Sequence, residues 1–97
     1  MSTLTCIAKI TAKKNHEKTV LEELTNIIQP TLSEKGCINY DMYIDNDDDT
    51  VFIFHENWES EQDLDNHLES EHIKKCFEII GDMLESVEIS KLSKVRI

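Results

Sequence analysis

The spacing of apolar residues along the chain alternates between two periods, one typical of strands and one typical of helices. Residues 4–12 alternate apolar and polar side chains, with Leu4, Cys6 and Ala8 on one side, which predicts a first strand. Apolar residues then recur every three or four positions over about residues 16–33. This spacing predicts an amphipathic helix that follows the strand.

Residues that favour helix starts and stops mark both ends of this helix. Asn15 is suited to cap its N-terminus, and Gly36 is suited to end it. Pro30 lies in the predicted last turn, where its missing N–H is expected to bend or fray the helix.

Two segments rich in β-forming residues flank an acidic stretch. Cys37–Ile44 and Thr50–Trp58 are separated by Asp45–Asp49, a pattern that predicts an antiparallel hairpin with a long acidic turn. The acidic stretch lacks the glycine and the closing glutamate of an EF-hand loop, so we interpret it as a solvated turn.

Two further helix starts and a last strand complete the pattern. Ser60, with Asp63 three residues later, predicts the cap of a short helix, and Ser70 predicts the start of another. Helical spacing carries this last helix to about Leu84, and alternation over Glu85–Val95 predicts the final strand. The order β-α-β-β-α-β is that of the α+β ferredoxin-like fold, in which helices cover one face of a four-stranded antiparallel sheet.

The second strand of the hairpin is apolar on both faces. Phe52, Phe54 and Trp58 point one way, while Val51 and Ile53 point the other. A strand of this kind needs a covering layer on each side, and the helices supply only one. We therefore expect a second copy of the sheet to cover the open face, which gives a homodimer.

Composition narrows the class of protein. The 97 residues predict one domain, 1–97, and 20 acidic against 10 basic residues give a net charge of −10. This charge disfavours nucleic acid and anionic membrane surfaces as partners.

No apolar run approaches the ~20 residues that span a bilayer, and no signal peptide is recognisable. Three cysteines without paired spacing are typical of reduced thiols, so we expect a cytoplasmic protein.

Groups that can transfer protons near neutral pH are concentrated in one part of the chain. His67 shares a helical face with Leu64 and should point inward, and His72 follows on the next helix. A histidine's ordinary pKa of about 6.5 suits proton transfer, although a core histidine and a helix-start histidine are also common. Glu56 falls on the apolar strand face, where a carboxylate needs a partner unless it reaches solvent at the strand end.

Aromatic and thiol side chains nearby have two interpretations each. Trp58 and Tyr40 can line a pocket for a flat aromatic substrate, or they can belong to the core. Cys76 follows His72 by four residues, which permits a nucleophile, but a buried thiol at a core-facing helical position is more common.

The same stretch also contains donors for a metal ion, at His67, Glu71, His72 and Cys76. Residues five apart lie about 140° apart on a continuous helix, so a shared ion requires a sharp break at Ser70. No second ligand pair occurs at the usual intervals, and we expect no metal.

Three motifs together resemble the antibiotic biosynthesis monooxygenase (ABM) domain of the dimeric α/β-barrel superfamily. They are Gly36-Cys37-x-x-Tyr40, Phe52-x-x-x-Glu56-x-Trp58-x-Ser60 and Leu64-x-x-His67-Leu68-x-Ser70-x-His72. The resemblance extends over nearly the whole chain in the order of elements, and its specific residues lie in the middle half.

This resemblance implies a dimeric α/β barrel that oxidises a phenolic or quinol substrate with molecular oxygen, using neither metal nor flavin. His67 or His72 would be the base, with Glu56 as its orienting partner. The walls of the substrate pocket would come from five side chains: Trp58, Tyr40, Leu64, Cys76 and Phe77.

Two other functions stay open. A superfamily member that isomerises a phosphorylated quorum signal has a His-x-x-x-x-His-x-x-x-Cys pattern similar to His67, His72 and Cys76. No arginine accompanies this pattern here, so Lys74 and Lys75 would have to hold a phosphate. The second alternative is a dimer that binds a small molecule without turnover.

Overall fold

Strands from the whole length of the chain form one antiparallel sheet in the computed structural model, which describes residues 3–96. They are β1 (Leu4–Ala12), β2 (Cys37–Ile44), β3 (Val51–Trp58) and β4 (Leu84–Leu92). The sheet order is β2-β3-β1-β4, and each neighbouring pair is antiparallel. This is the predicted α+β ferredoxin-like fold.

The helices lie between β1 and β2 and between β3 and β4, and they cover one face of the sheet. They are α1 (Glu17–Asn26), α2 (Ile28–Leu32), α3 (Glu61–Leu68) and α4 (Glu71–Ile80), and a 3₁₀ turn (Gly81–Met83) follows α4. Within residues 3–96, every helix is too short or too polar to cross a membrane.

The predicted first helix is in fact two helices, α1 and α2, that meet at Ile27. At this junction the Ile27 N–H donates to the carbonyl of Leu24 rather than continuing the α-helical pattern. Pro30 is the third residue of α2. The first N–H groups of a helix have no partner within it, so a proline is tolerated there. The predicted bend is present, because the helix is interrupted at Ile27, about one turn before Pro30. The predicted position is wrong, because Pro30 lies in the first turn of a new helix rather than in a last turn.

Two other predicted boundaries are also wrong. The N-cap residue of α1 is His16, not Asn15, which adopts the left-handed region at φ 76° in the preceding turn. The last helix ends at Ile80, and Leu84 begins β4 rather than closing the helix. Since β4 pairs with β1 from Leu84 onward, sheet hydrogen bonding overrides the helical spacing there.

Alternate residues of β1 and β3 face the helices and form the core, as the alternation predicts. The register pairs Phe54 with Ala8 and Glu56 with Cys6 across the two central strands. The largest fully buried side chains come from both layers: Trp58, Phe52, Phe54, Leu24, Leu64 and Ile80. Burial of each contributes roughly 1.5–3 kcal/mol.

The opposite face of the sheet has no cover within residues 3–96 of one chain. Tyr43 pairs with Ile53 on this face, and Tyr43 is exposed. Polar groups share the surface: Thr5 donates to Asn57 at 2.6 Å, and Asn57 donates to Asn39 at 2.7 Å. The face is therefore mixed rather than purely apolar, and its cover by a second copy stays a prediction.

Candidate active site

The turn between α2 and β2 carries a carboxylate, Glu34, toward the helices. The Glu34 N–H donates to the carbonyl of Thr31 at 2.9 Å, and the Glu34 carbonyl accepts from Cys37 at 3.2 Å. Gly36 closes the turn at φ 85°, a region that favours glycine, and a Cβ there would overlap the side chain of Asp63. The backbone thus fixes the position of Glu34, whose side chain is 17% exposed.

A sharp change of direction between α3 and α4 brings two histidines to this carboxylate. His67 lies near the end of α3 and His72 near the start of α4, and the Ser70 hydroxyl between them donates to the His67 carbonyl at 2.6 Å. His67 Nδ1 and His72 Nε2 each lie 2.8 Å from the same oxygen, Oε2 of Glu34. The hydroxyl of Thr31 lies 3.1 Å from His72 Nε2.

The environment of His67 determines which of its nitrogens can accept a proton. Burial lowers the pKa of His67 below its ordinary value, although the hydrogen bond from His67 to Glu34 acts in the opposite direction. The ring is therefore neutral at pH 7. A carboxylate oxygen only accepts hydrogen bonds, so we assign the proton to Nδ1, and the lone pair of Nε2 is free.

A row of side chains crosses the sheet on the face below His67. The register places Tyr40 opposite Glu56 and Glu56 opposite Cys6. Glu56 is 3% exposed, and its carboxylate accepts a hydrogen bond from Trp58 Nε1 at 2.8 Å. The prediction that Glu56 orients a histidine is therefore wrong, because its partner is Trp58 and the histidines contact Glu34.

Burial also raises the pKa values of the titratable side chains in this row. Burial raises the pKa of Glu56 to about 7, against the opposing effect of the Trp58 hydrogen bond and with a further rise from the charge of Glu34. Burial likewise raises the pKa of Tyr40 and raises that of the Cys6 thiol to about 12. Glu56 is thus the member of the row that exchanges protons near neutral pH.

Aromatic rings enclose the His67 imidazole on two sides. The ring centroid of Trp58 lies 4.8 Å from that of His67, with 37° between the planes. Tyr40 lies 5.3 Å away with its plane at 67°, an edge-on contact. These contacts fix the orientation of His67 and shield two sides of its ring from water.

A small cavity of about 40 Å³ lies between the sheet and the helices beside these groups. It is lined by residues of both layers, among them Cys6, Tyr40, Glu56, His67, Phe77 and Ile89. Val87 and Ile89 of β4 are 43% and 46% exposed, so the cavity wall meets solvent along β4. The volume holds one or two water molecules and is far below the roughly 300 Å³ of an ordinary ligand pocket.

The predicted site residues divide into two groups. Four line the cavity: His67, Glu56, Tyr40 and Phe77. Four are not among its lining residues: His72, Trp58, Leu64 and Cys76. The Cys76 thiol points toward α1, where it lies 3.7 Å from the carbonyl of Glu23. The structure thus brings His67 and His72 together through Glu34, whereas the Cys76 thiol contacts the backbone of α1.

Sequence reasoning missed Glu34 and Thr31, which contact the histidines directly. Both precede the Gly36 motif in a segment whose apolar spacing identifies only a helix. The one usable signal is the position of Glu34 two residues before a glycine that ends a helix, since a turn there points side chains back over the sheet.

Comparison with known proteins gives a consistent set of relatives. A model of the antibiotic biosynthesis monooxygenase family matches residues 3–79. "Uncharacterized protein sll1783" of Synechocystis sp. is 31% identical over 87 residues, which cover 90% of this chain; the chain spans 58% of the length of that protein. "Probable quinol monooxygenase YgiN" of Escherichia coli K12 is 34% identical over 84% of this chain and 89% of its own length. The crystal structure of PA3566 from Pseudomonas aeruginosa superposes with a TM-score of 0.93 at 30% identity, covering 99% of this chain and 97% of that one.

Proposed function

The chain belongs to the antibiotic biosynthesis monooxygenase family, and from this premise we propose that it is a cofactor-independent monooxygenase that oxidises a small phenol or quinol with molecular oxygen. The observation that carries the proposal is the His67 imidazole, which lines the cavity while its Nδ1 is held by Glu34 at 2.8 Å. A neutral histidine in this arrangement has a basic nitrogen ready to take a proton from a substrate.

The first step is proton transfer from the phenolic O–H to Nε2 of His67. The imidazolium that forms is stabilised by the Glu34 carboxylate on its other nitrogen. His72 contacts the same carboxylate oxygen and orients it from the opposite side. Glu34 and His72 are thus positioning residues in this proposal, and His67 is the catalytic base.

The second step needs no electron donor or acceptor beyond the substrate and oxygen. The phenolate transfers one electron to O₂, and the phenoxyl and superoxide radicals combine at a ring carbon into a peroxide anion. This anion takes the proton from the His67 imidazolium and becomes a hydroperoxide. Loss of water from this hydroperoxide leaves a quinone, so that phenol and O₂ give quinone and H₂O. One oxygen atom of O₂ enters the product and the other leaves as water. The ring supplies the four electrons that reduce O₂, two for each oxygen atom.

Glu56 is suited to assist the departure of water. Its carboxyl lines the cavity, and burial raises the pKa of Glu56 to about 7, so a substantial fraction is protonated at neutral pH. A carboxylic acid of this strength can donate a proton to the leaving oxygen of the hydroperoxide, and the resulting carboxylate can take the proton that the ring carbon loses as the quinone forms. We therefore assign Glu56 the role of general acid.

Substrate entry requires movement of side chains along β4. The cavity of about 40 Å³ accommodates O₂ but not an aromatic ring. Val87 and Ile89 are the most exposed members of its wall, and in this proposal their displacement opens the space beside His67. We propose that a quinol enters by this route.

We further propose that the protein is a homodimer formed through the open face of the sheet. Tyr43 is exposed on this face, and Ile53 lies beside it. A second sheet would cover both. The three cysteines are free thiols, as expected in a reducing compartment, and we propose a cytoplasmic location.

Oxygen consumption with a panel of quinols, measured after treatment with a chelator and with no added cofactor, tests the proposed activity. We expect uptake by the unaltered protein and a loss of roughly 10²-fold or more in His67→Ala, because the base is removed. His16→Ala is the matched control, since His16 is an exposed histidine outside the site. Equal uptake by the His67→Ala variant would rule out this base.

The small cavity supports a second candidate, a dimer that binds a small molecule without turnover. In that case quinols would bind and protect the protein against unfolding, yet oxygen uptake would not exceed that of the buffer. The isomerase alternative draws no comparable support, because the Cys76 thiol faces Glu23 rather than the cavity.

A further inference from the structure

Three donor atoms from three different segments converge at the edge of the proposed site. They are a carboxylate oxygen of Glu34, Nδ1 of His67 and Nε2 of His72, and all lie within 4.8 Å of one another. Two imidazoles and one carboxylate form a ligand set that zinc and related divalent ions prefer in proteins. The sharp turn between α3 and α4 removes the spacing argument against a shared ion.

We propose that Glu34, His67 and His72 bind a divalent transition-metal ion, Zn²⁺ above all, and that the bound ion inhibits the protein. The ion would take the place that the two hydrogen bonds to Glu34 occupy in the metal-free protein. The inhibitory part rests on the proposed function, whereas metal binding does not.

The geometry needs only a small adjustment to accept the ion. Zinc with N and O ligands at 2.0–2.2 Å in tetrahedral geometry separates its ligand atoms by about 3.4 Å. Each histidine nitrogen now lies 2.8 Å from Glu34 Oε2, so these two separations must widen by about 0.6 Å. The two nitrogens lie within 4.8 Å of each other, so they must approach by at most about 1.4 Å. Rotation about the side-chain bonds of Glu34 allows this movement without a change in its backbone, and water can fill the fourth position.

The site is also reachable from solvent and is partly shielded from it. The His72 side chain is 24% exposed, which gives an ion a path of entry from the outer side. His67 is buried on the inner side, where the rings of Trp58 and Tyr40 hold it in place. Ligands held in position by such packing lose less freedom when an ion binds.

Binding of the ion would move the proton of His67 from Nδ1 to Nε2. A neutral imidazole that binds a metal through Nδ1 carries its proton on Nε2. In the metal-free protein the proton lies on Nδ1 and is donated to Glu34. Nε2 of His67 would then carry a proton and could no longer accept one from the substrate. The ion would thus block the base without occupying the space of the substrate.

Titration of the tag-free protein with Co²⁺, followed by its visible absorption, tests the metal site directly. We expect one tetrahedral Co²⁺ per chain, displaced by Zn²⁺. His72→Ala and Glu34→Gln should each weaken binding by about tenfold or more, because each removes one ligand. His16→Ala should bind as the unaltered protein does. Weak octahedral Co²⁺, or binding that the two ligand variants leave unchanged, would overturn the site.

A second measurement tests the inhibitory role. Zn²⁺ at the concentration that displaces Co²⁺ should abolish quinol-dependent oxygen uptake, and a chelator should restore it. Half inhibition of the residual oxygen uptake of His72→Ala should need a Zn²⁺ concentration about tenfold or more above that for the unaltered protein. Uptake that persists with the site filled would overturn inhibition. If no quinol is oxidised in the absence of metal, the proposed function fails, and the Co²⁺ titration still decides the metal site.

Discussion

Replacement of Glu56 by glutamine should make the protein more stable at alkaline pH. Glu56 is buried and accepts a hydrogen bond from Trp58 Nε1, and the Oε1 of a glutamine can accept the same bond. The change therefore keeps the shape and the hydrogen bond and removes only the ability to ionise.

The size of the effect follows from the pKa. Burial raises the pKa of Glu56 from an ordinary value of 4.5 to about 7 in the folded protein. As pH rises above 4.5 the unfolded chain loses this proton first, so the folded state is progressively destabilised until about pH 7 and by a constant amount above it. At 1.36 kcal/mol per pH unit, the difference corresponds to about 3 kcal/mol.

Urea unfolding at several pH values measures this directly. Trp58 is the single tryptophan of the chain and is fully buried, so its fluorescence reports unfolding. Protein concentration must be held fixed, because dimer formation would shift the midpoint. The free energy of unfolding of Glu56→Gln relative to the unaltered protein should rise by about 3 kcal/mol between pH 4.5 and pH 8. A difference that does not vary with pH would refute the reasoning, whatever its constant value.

Three further predictions concern the turn, a helix cap and the pH profile. Gly36→Ala should lower the free energy of unfolding by about 2 kcal/mol or more in urea, because φ is 85° and the added Cβ meets Asp63. Ser60→Ala should cost about 1 kcal/mol in the same assay, because the Ser60 hydroxyl accepts the Asp63 N–H at the start of α3. Unchanged midpoints would contradict both. Quinol-dependent uptake should fall at acid pH as His67 gains a proton, with a midpoint below 6.5 because burial lowers the pKa of His67, and it should also fall above about pH 7 as Glu56 loses its proton. If the oxygen uptake of Glu56→Gln still falls at alkaline pH, Glu56 is not the general acid.

The sheet and the inward face of β3 were predictable because strand alternation depends on local sequence. Phe54 and Trp58 had to be buried on one side, and the structure buries them there. The break between α1 and α2 was not predictable from apolar spacing, since the stripe continues across Ile27 and only hydrogen bonding interrupts it.

The composition of the site was only half predictable. His67 and Glu56 both line the cavity, because each lies on the inward face of its element. Their partners depend on tertiary contacts: Glu34 comes from a turn 33 residues before His67, and no local period connects the two. The size of the cavity likewise depends on how the side chains of β4 and the helices fit together, which spacing does not encode.

The central claim is that His67 is neutral and carries its proton on Nδ1, which leaves Nε2 as the base. NMR of the ¹⁵N-labelled histidine rings measures both the tautomer and the pKa, and His67→Asn identifies the His67 signals by their loss. We predict the Nδ1–H form at pH 7 and a pKa below the ordinary value of 6.5. A charged ring at pH 7, or a proton on Nε2, would contradict the account.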